Sequence, residues 1–228
     1  MLFRSSNIYN REITKANPIE RFVGKTCVLG LGYGTGALKL QHTLKTQPPG
    51  AVLDEVECKR IVNLYRDTNS DVVRLWREGD ELLGDLSSWR GKPYDFGQHG
   101  AVMVTEKGIW LPNDLYIKYP GLKFDTDGAK SGYVYYSRTG PVSIWGGTVV
   151  ENVVQALARI IVAEQMLRIW EEYKVKLTVH DSAVVLAPEA RAEEALAYVI
   201  KCMSTPPVWA AGLPVSCEAK FAHSYGQC

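Results

Sequence analysis

A chain of 228 residues with 22% charged and 46% hydrophobic side chains is long enough for one large or two small domains, and its composition excludes a low-complexity or disordered chain. Five cysteines, an odd number without a C-x-x-C pair or a clustered His, argue against a disulfide framework and a zinc site, and predict a reducing, cytosol-like compartment. The start MLFRSSNIYN lacks a signal-peptide core and no uninterrupted apolar run reaches membrane-spanning length, so a soluble protein with no membrane partner is expected.

The formal charge of +1 hides an asymmetry: residues 1–50 carry seven Lys or Arg (Arg4, Arg11, Lys15, Arg21, Lys25, Lys39, Lys45) against Glu12 and Glu20. An anionic partner is expected to meet this end. Ile8, Tyr9 and Ile13 among polar residues read as a short helix or its remnant. Asn17-Pro18-Ile19-Glu20 then supplies a capping-type residue, a first-turn proline and a dipole-favoured acid, so a helix starts near Pro18 and runs into the glycine-rich stretch at Gly30, Gly32, Gly34 and Gly36. Each glycine costs a helix about 1 kcal/mol relative to Ala, which suggests close backbone approach or a hinge. Arg21, Lys25 and Leu29 recur every four residues, so they share one face. Two cations one turn apart with no acid between them either bind an anion such as a polyphosphate or form a solvated face.

Leu38 to Leu44 continues as a short helix that Pro48-Pro49-Gly50 ends. Asp54 to Leu86 has helical periodicity, and Thr68-Asn69-Ser70-Asp71 divides it into two helices. Asp54, Glu55 and Glu57 suit a helix start better than a metal cluster. From Trp89 to Gly140 the chain turns aromatic and β-branched, and strands are expected at 102–104, 108–111, 115–119 and 133–136, separated by Pro112-Asn113-Asp114 and by Asp125 to Gly132. This aromatic and basic mixture is either hairpin core or a surface on which nucleic acid stacks.

Trp145 to Tyr173 gives the strongest helix, apolar almost all round, and deep burial is expected. Thr148, Asn152, Gln155 and Arg159 form a polar stripe along it, which is either the solvent face or a row of hydrogen-bonding groups for a ligand. Lys176 to Leu186 reads as two apolar strands around His180 and Asp181, a tight hairpin whose tip carboxylate either closes the turn or binds a metal ion. Three consecutive residues in a strand turn cannot align as nucleophile, base and orienter, so His180-Asp181-Ser182 is no hydrolase triad. Pro188 to Met203 reads as an amphipathic helix, followed by a tail over residues 212–226.

Arg21-x3-Lys25-x7-Tyr33-Gly34, within KTCVLGLGYGTG, resembles motif B of family A DNA polymerases, most closely the phage branch. GGTVVENVVQALAR resembles that family's palm helix, His180-Asp181 its motif C, and the tail its C-termini, in the family's order. The implied fold is α+β: fingers and C-terminal palm of a right-hand polymerase, with helices and short antiparallel strands. Residues 1–100 would be fingers with the nucleotide-binding helix at 18–34, and residues 101–140 a β-rich hairpin segment at the fingers/palm boundary. Residues 141–228 would be palm, with the long helix 145–173, the motif C hairpin 175–187 and a C-terminal helix and strand.

The resemblance implies deoxynucleoside triphosphate binding by Arg21, Lys25, Leu29 and Tyr33, and primer–template DNA binding by Asn152, Gln155, Arg159 and His180. It places Asp181, Lys25 and His180 in the catalytic set, with Asp181 as a ligand of two Mg2+ ions. Leu29 stands where most members carry an aromatic residue, and Ser182 where many carry Glu. The family's other metal carboxylate lies in motif A, an Asp-Tyr-Ser-like strand upstream of motif B, and no such segment occurs in this sequence. The expectation is a split subunit or fragment of a DNA-directed DNA polymerase in a host cytoplasm, active with a second polypeptide that carries motif A and the thumb. The alternatives are a fragment of a single-subunit RNA polymerase, which shares the His-Asp-Ser triplet, and a non-catalytic nucleic-acid-binding scaffold.

Overall fold

The structure, a computed structural model, describes residues 5–97, 100–126 and 131–227. Five helices come first: α1 (Ser5–Tyr9), α2 (Pro18–Leu31), α3 (Ala37–Thr46), α4 (Glu55–Thr68) and α5 (Ser70–Ser87). Two antiparallel meanders follow: β1 (Tyr94–Asp95), β2 (Met103–Thr105), β3 (Gly108–Trp110) and β4 (Tyr116–Ile117), then β5 (Lys123–Asp125), β6 (Gly132–Ser137) and β7 (Gly140–Ile144). The long helix α6 (Gly146–Trp170), the hairpin β8 (Val175–Val179) and β9 (Ser182–Val185), and α7 (Ala192–Met203) complete the order. The class is therefore α+β, helices with short antiparallel strands. Residues 5–91 with 119–151 form one compact unit, and residues 92–118 with 152–227 a second.

In the first unit the core comes from helical spacing. Val23, Cys27 and Leu31 of α2 project on one side and are buried against Leu40 and Leu44 of α3 and Cys58, Ile61 and Val62 of α4. Each such side chain contributes about 1.5–3 kcal/mol on burial. Burial also pushes the Cys27 thiol up to about 12, so it behaves as a small core hydrophobe. Asn17 does not cap α2 with its side chain; its Oδ1 accepts from the Thr14 N–H at 3.1 Å instead, and the start is left to Pro18. Asp54 caps α4 by accepting the Glu57 N–H at 2.7 Å, while Glu55 pairs with Lys59 and Glu57 with Arg60, so this acidic trio does the work of a helix start. Asn69 divides α4 from α5, donating its side-chain amide to the Tyr65 carbonyl at 2.8 Å.

α5 meets the start of α6 backbone to backbone. A Cβ on Gly79 would stand 2.6 Å from the Gly146 carbonyl oxygen, and one on Gly146 would overlap the Trp76 carbonyl. The Asp80 Oδ1 accepts the Gly146 N–H at 2.6 Å, satisfying one of the orphan donors of the first turn of α6. Gly79→Ala is therefore expected to destabilise the protein by about 1–3 kcal/mol, the usual cost of forcing a methyl into a packed contact. Denaturant melts of the variant and the parent measure it, and an unchanged midpoint would mean that the crossing yields without cost.

The strands expected at 102–104, 108–111, 115–119 and 133–136 form, offset by a residue or two. β5 and β7 escape the periodic reading because β5 is short and polar and β7 contains Pro141. β7 lies at the sheet edge, where a missing ladder donor is tolerated. Residues 127–130 of the turn expected over Asp125 to Gly132 lie outside the described residues.

In the second unit Ile169 and Tyr173 pack with Ala195, Val199 and Cys202 of α7, and Val175, Ala183 and Val185 of the hairpin close that core. Polar side chains tie α6 to the end of α7 and the chain after it: Gln165 donates to the Met203 carbonyl at 2.6 Å, and Arg168 to the Thr205 carbonyl at 2.6 Å. The deep burial expected of α6 does not hold. Among the described residues it is the one helix long and apolar enough to cross a membrane, yet only 28% of its most apolar window is buried, and Val154, Leu167 and Trp170 stand more than half exposed. An all-round apolar rod needs partners on every side, and the neighbours of α6 reach only part of it. No strand forms over residues 211–224, where Pro214 removes a ladder donor.

Candidate functional site

Opposite the buried Val23, Cys27 and Leu31, α2 presents Arg21, Lys25 and Leu29, all exposed. Gly32 is still helical (φ −57°, ψ −28°), so Tyr33, 53% exposed, extends this row at the same four-residue interval. The acid nearest Arg21 in sequence, Glu20, is paired with Arg11. Among the described residues neither Arg21 nor Lys25 has an ion-pair partner, so their charge is free to meet an anion. Lys25 and Leu29, with Phe22 and Thr26, also line a cleft of about 490 Å³ whose far wall includes Leu40 and Thr43 of α3. A cation row beside a cleft of that size can hold a phosphorylated small molecule.

The glycine-rich end is a tight turn. The N–H of Tyr33 donates to the Gly30 carbonyl at 3.2 Å and that of Gly34 to the Leu31 carbonyl at 2.9 Å. Gly34 has φ +71°, and a Cβ there would overlap the Trp145 indole. The closest approach lies at Gly34, whereas a Cβ on Gly36 would meet nothing within 4 Å.

The second group of residues lies in the other unit. Antiparallel pairing runs from Val175↔Val185 to Val179↔Ser182, so His180 and Asp181 are the two residues of the turn. Both are exposed, and His180 adopts φ +55°, a left-handed conformation that costs a non-glycine residue about 1–2 kcal/mol. Asn152, Gln155 and Arg159 lie along one side of α6: Asn152 is half-buried, Gln155 and Arg159 exposed. α2 thus gathers Arg21, Lys25 and Leu29, with Tyr33 in the turn just beyond it; the β8–β9 turn joins His180 to Asp181, and α6 aligns the remaining three.

A magnesium centre for phosphoryl transfer would need carboxylates from more than one segment. Asp181 offers one, and the described residues contain no group of three His, Cys, Asp or Glu side chains able to hold a metal ion. Asp181 would be a single ligand of such a centre, and the described residues alone do not make the centre.

Sequence reasoning did not find Trp145, Gly79 or Asp80. Their signals were a glycine inside an otherwise strong helix and the Trp145-Gly146-Gly147 run at the start of another, both marks of close backbone approach.

No family model matches the chain. Over an alignment of 226 residues the chain is 33% identical to a protein named DNA polymerase from Bacillus phage SP02, covering 93% of this chain and 33% of that relative. The chain thus spans about a third of the length of the relative it matches.

Proposed function

We propose that these residues form the fingers and C-terminal palm of a family A, right-hand DNA polymerase of the phage branch, which adds deoxynucleotides to a primer 3′ end under template direction. The observation that carries this reading is the exposed set Arg21, Lys25, Leu29 and Tyr33, with two cations on one helix face that have no ion-pair partner among the described residues, in a chain similar to a phage DNA polymerase. Residues 1–100 are the fingers, 101–140 a β-rich boundary segment and 141–228 the palm. The site of action is the host cytoplasm.

Arg21 and Lys25 hold the triphosphate, Arg by its planar fork and Lys as a point charge. Leu29 lies against the sugar, and Tyr33 beside the nascent base pair. Asn152, Gln155 and Arg159 offer hydrogen bonds to the minor groove of the primer–template, where acceptors recur whatever the sequence. His180 stands next to the primer end, beside Asp181. Asp181 would be the residue here that holds magnesium, which when bound would supply charge neutralisation at the transferred phosphoryl group. These residues would contribute one carboxylate to the magnesium centre, Asp181, and a motif A segment outside them the other.

An aliphatic Leu29 offers the sugar no hydroxyl. Leu29→Tyr adds one that can replace the hydrogen bond a dideoxynucleotide lacks, so acceptance of dideoxynucleotides is expected to rise by up to about tenfold, the worth of one net hydrogen bond. Competition between deoxy- and dideoxynucleotides measures it; identical discrimination before and after substitution would leave Leu29 a packing residue.

The triplet His180-Asp181-Ser182 favours a second reading, a part of a single-subunit RNA polymerase. Incorporation with each nucleotide class in turn decides between them: deoxynucleotides support the DNA polymerase reading, and a preference for ribonucleotides overturns it.

A further inference from the structure

The Tyr33–Gly34 turn is placed by residues far from it in sequence. The Tyr33 side chain is 53% exposed, and the N–H groups of Tyr33 and Gly34 bond back to Gly30 and Leu31. Gly34, in its left-handed conformation, lies directly on the Trp145 indole, where a Cβ would overlap the ring atoms Cη2 and Cζ2. That indole is itself fixed. It meets the buried Trp76 edge-on, with ring centroids 5.6 Å apart and planes at 64°, and a Cβ on Gly147 would also overlap its ring atoms Cη2 and Cζ2. The residue after it, Gly146, is clamped on α5 by the Asp80 carboxylate and by the close contact with Gly79. Trp145 remains 39% exposed, so its ring is not wholly consumed by this packing.

We propose that Trp145 is a positioning residue for nucleotide binding: its indole is the seat of the Tyr33–Gly34 turn, and it fixes where the Tyr33 ring stands at the end of the cation row. The proposal rests on the reading of that row as the nucleotide site. An aromatic seat suits the task because a rigid, flat ring transmits position without rotameric slack, and a glycine is required opposite it because any side chain would lift the turn off the ring. The arms of the site thus have separate supports, with Arg21 and Lys25 held by α2 and Tyr33 held by α5 and the start of α6 through Trp145.

The test is titration of dATP into the 15N-labelled 228-residue chain, followed by the backbone amide resonances of Arg21, Lys25 and Tyr33. In the parent, all three are expected to respond. In Trp145→Ala the responses at Arg21 and Lys25 persist while that at Tyr33 is lost, and affinity falls roughly fivefold; Trp145→Phe, which keeps a flat ring, restores the Tyr33 response and brings affinity within about twofold of the parent. A general structural defect would remove all three responses together, so the split between them marks positioning. Gly34→Ala gives the same split from the other side of the contact, and it decides the matter if Trp145→Ala does not fold. A Tyr33 response unchanged in Trp145→Ala, or in Gly34→Ala if that variant must decide, overturns the proposal and leaves the nucleotide site standing. A parent chain in which neither Arg21 nor Lys25 responds to dATP overturns both.

Discussion

Asp181→Ala is expected to lower primer extension by the assembled polymerase about a thousandfold while leaving folding and primer–template affinity within experimental error. The expectation has two physical grounds. Asp181 is exposed at the tip of a two-residue turn and its neighbours in the ladder, Val179 and Ser182, keep their pairing without it, so its removal opens no cavity and strands no buried partner. In its proposed role as a cation ligand, however, it supplies negative charge that a neutral methyl cannot replace. Asp181→Asn keeps the shape and removes the charge, and should fall nearly as far. Single-turnover extension measured beside circular dichroism and DNA binding separates these effects. Near-normal extension by either variant would remove Asp181 from the catalytic set.

Lys25→Ala and Arg21→Ala are expected to raise the nucleotide concentration needed for half-maximal incorporation by roughly ten- to a hundredfold each, with DNA affinity little changed. A hydrogen bond to a charged group is worth about 1.5–3 kcal/mol, which corresponds to that range. Both side chains are exposed on the face of α2 opposite its core, and neither is committed to an acid among the described residues, so the loss falls on the ligand rather than on the fold. Lys25 also lines the cleft between α2 and α3. Pre-steady-state incorporation at varied nucleotide concentration gives the constant directly, and unchanged values in both variants would defeat the phosphate assignment.

The helices of the first unit were legible because capping, proline and periodicity agree there. Pro18, Asp54 and Asn69 each mark a boundary within a residue or two of where it lies. The exposed row on α2 was legible for the same reason, since a spacing of four fixes a face once a helix is granted. Burial was less legible. α6 carries apolar side chains on every side, and sequence alone cannot say which sides find a neighbour; Val154, Leu167 and Trp170 did not. Contacts between distant glycines and aromatic rings were illegible altogether. Nothing local in Gly34 or Trp145 names the other, although the left-handed turn and the Gly-Gly pair each announce that something comes close. β7 was hidden by Pro141, whose exclusion from strands applies to the interior of a sheet and not to its edge.

In the proposed function, these residues hold one part of a polymerase whose metal centre is completed by a carboxylate from outside them. Primer extension in the presence of magnesium, by the 228-residue chain alone, by a polypeptide carrying motif A and the thumb alone, and by the two together, tests this directly. No extension is expected from either alone and robust extension from the mixture, because Asp181 by itself supplies one carboxylate where at least two are needed. Robust extension by the lone chain, or a mixture as inactive as its components, would contradict it.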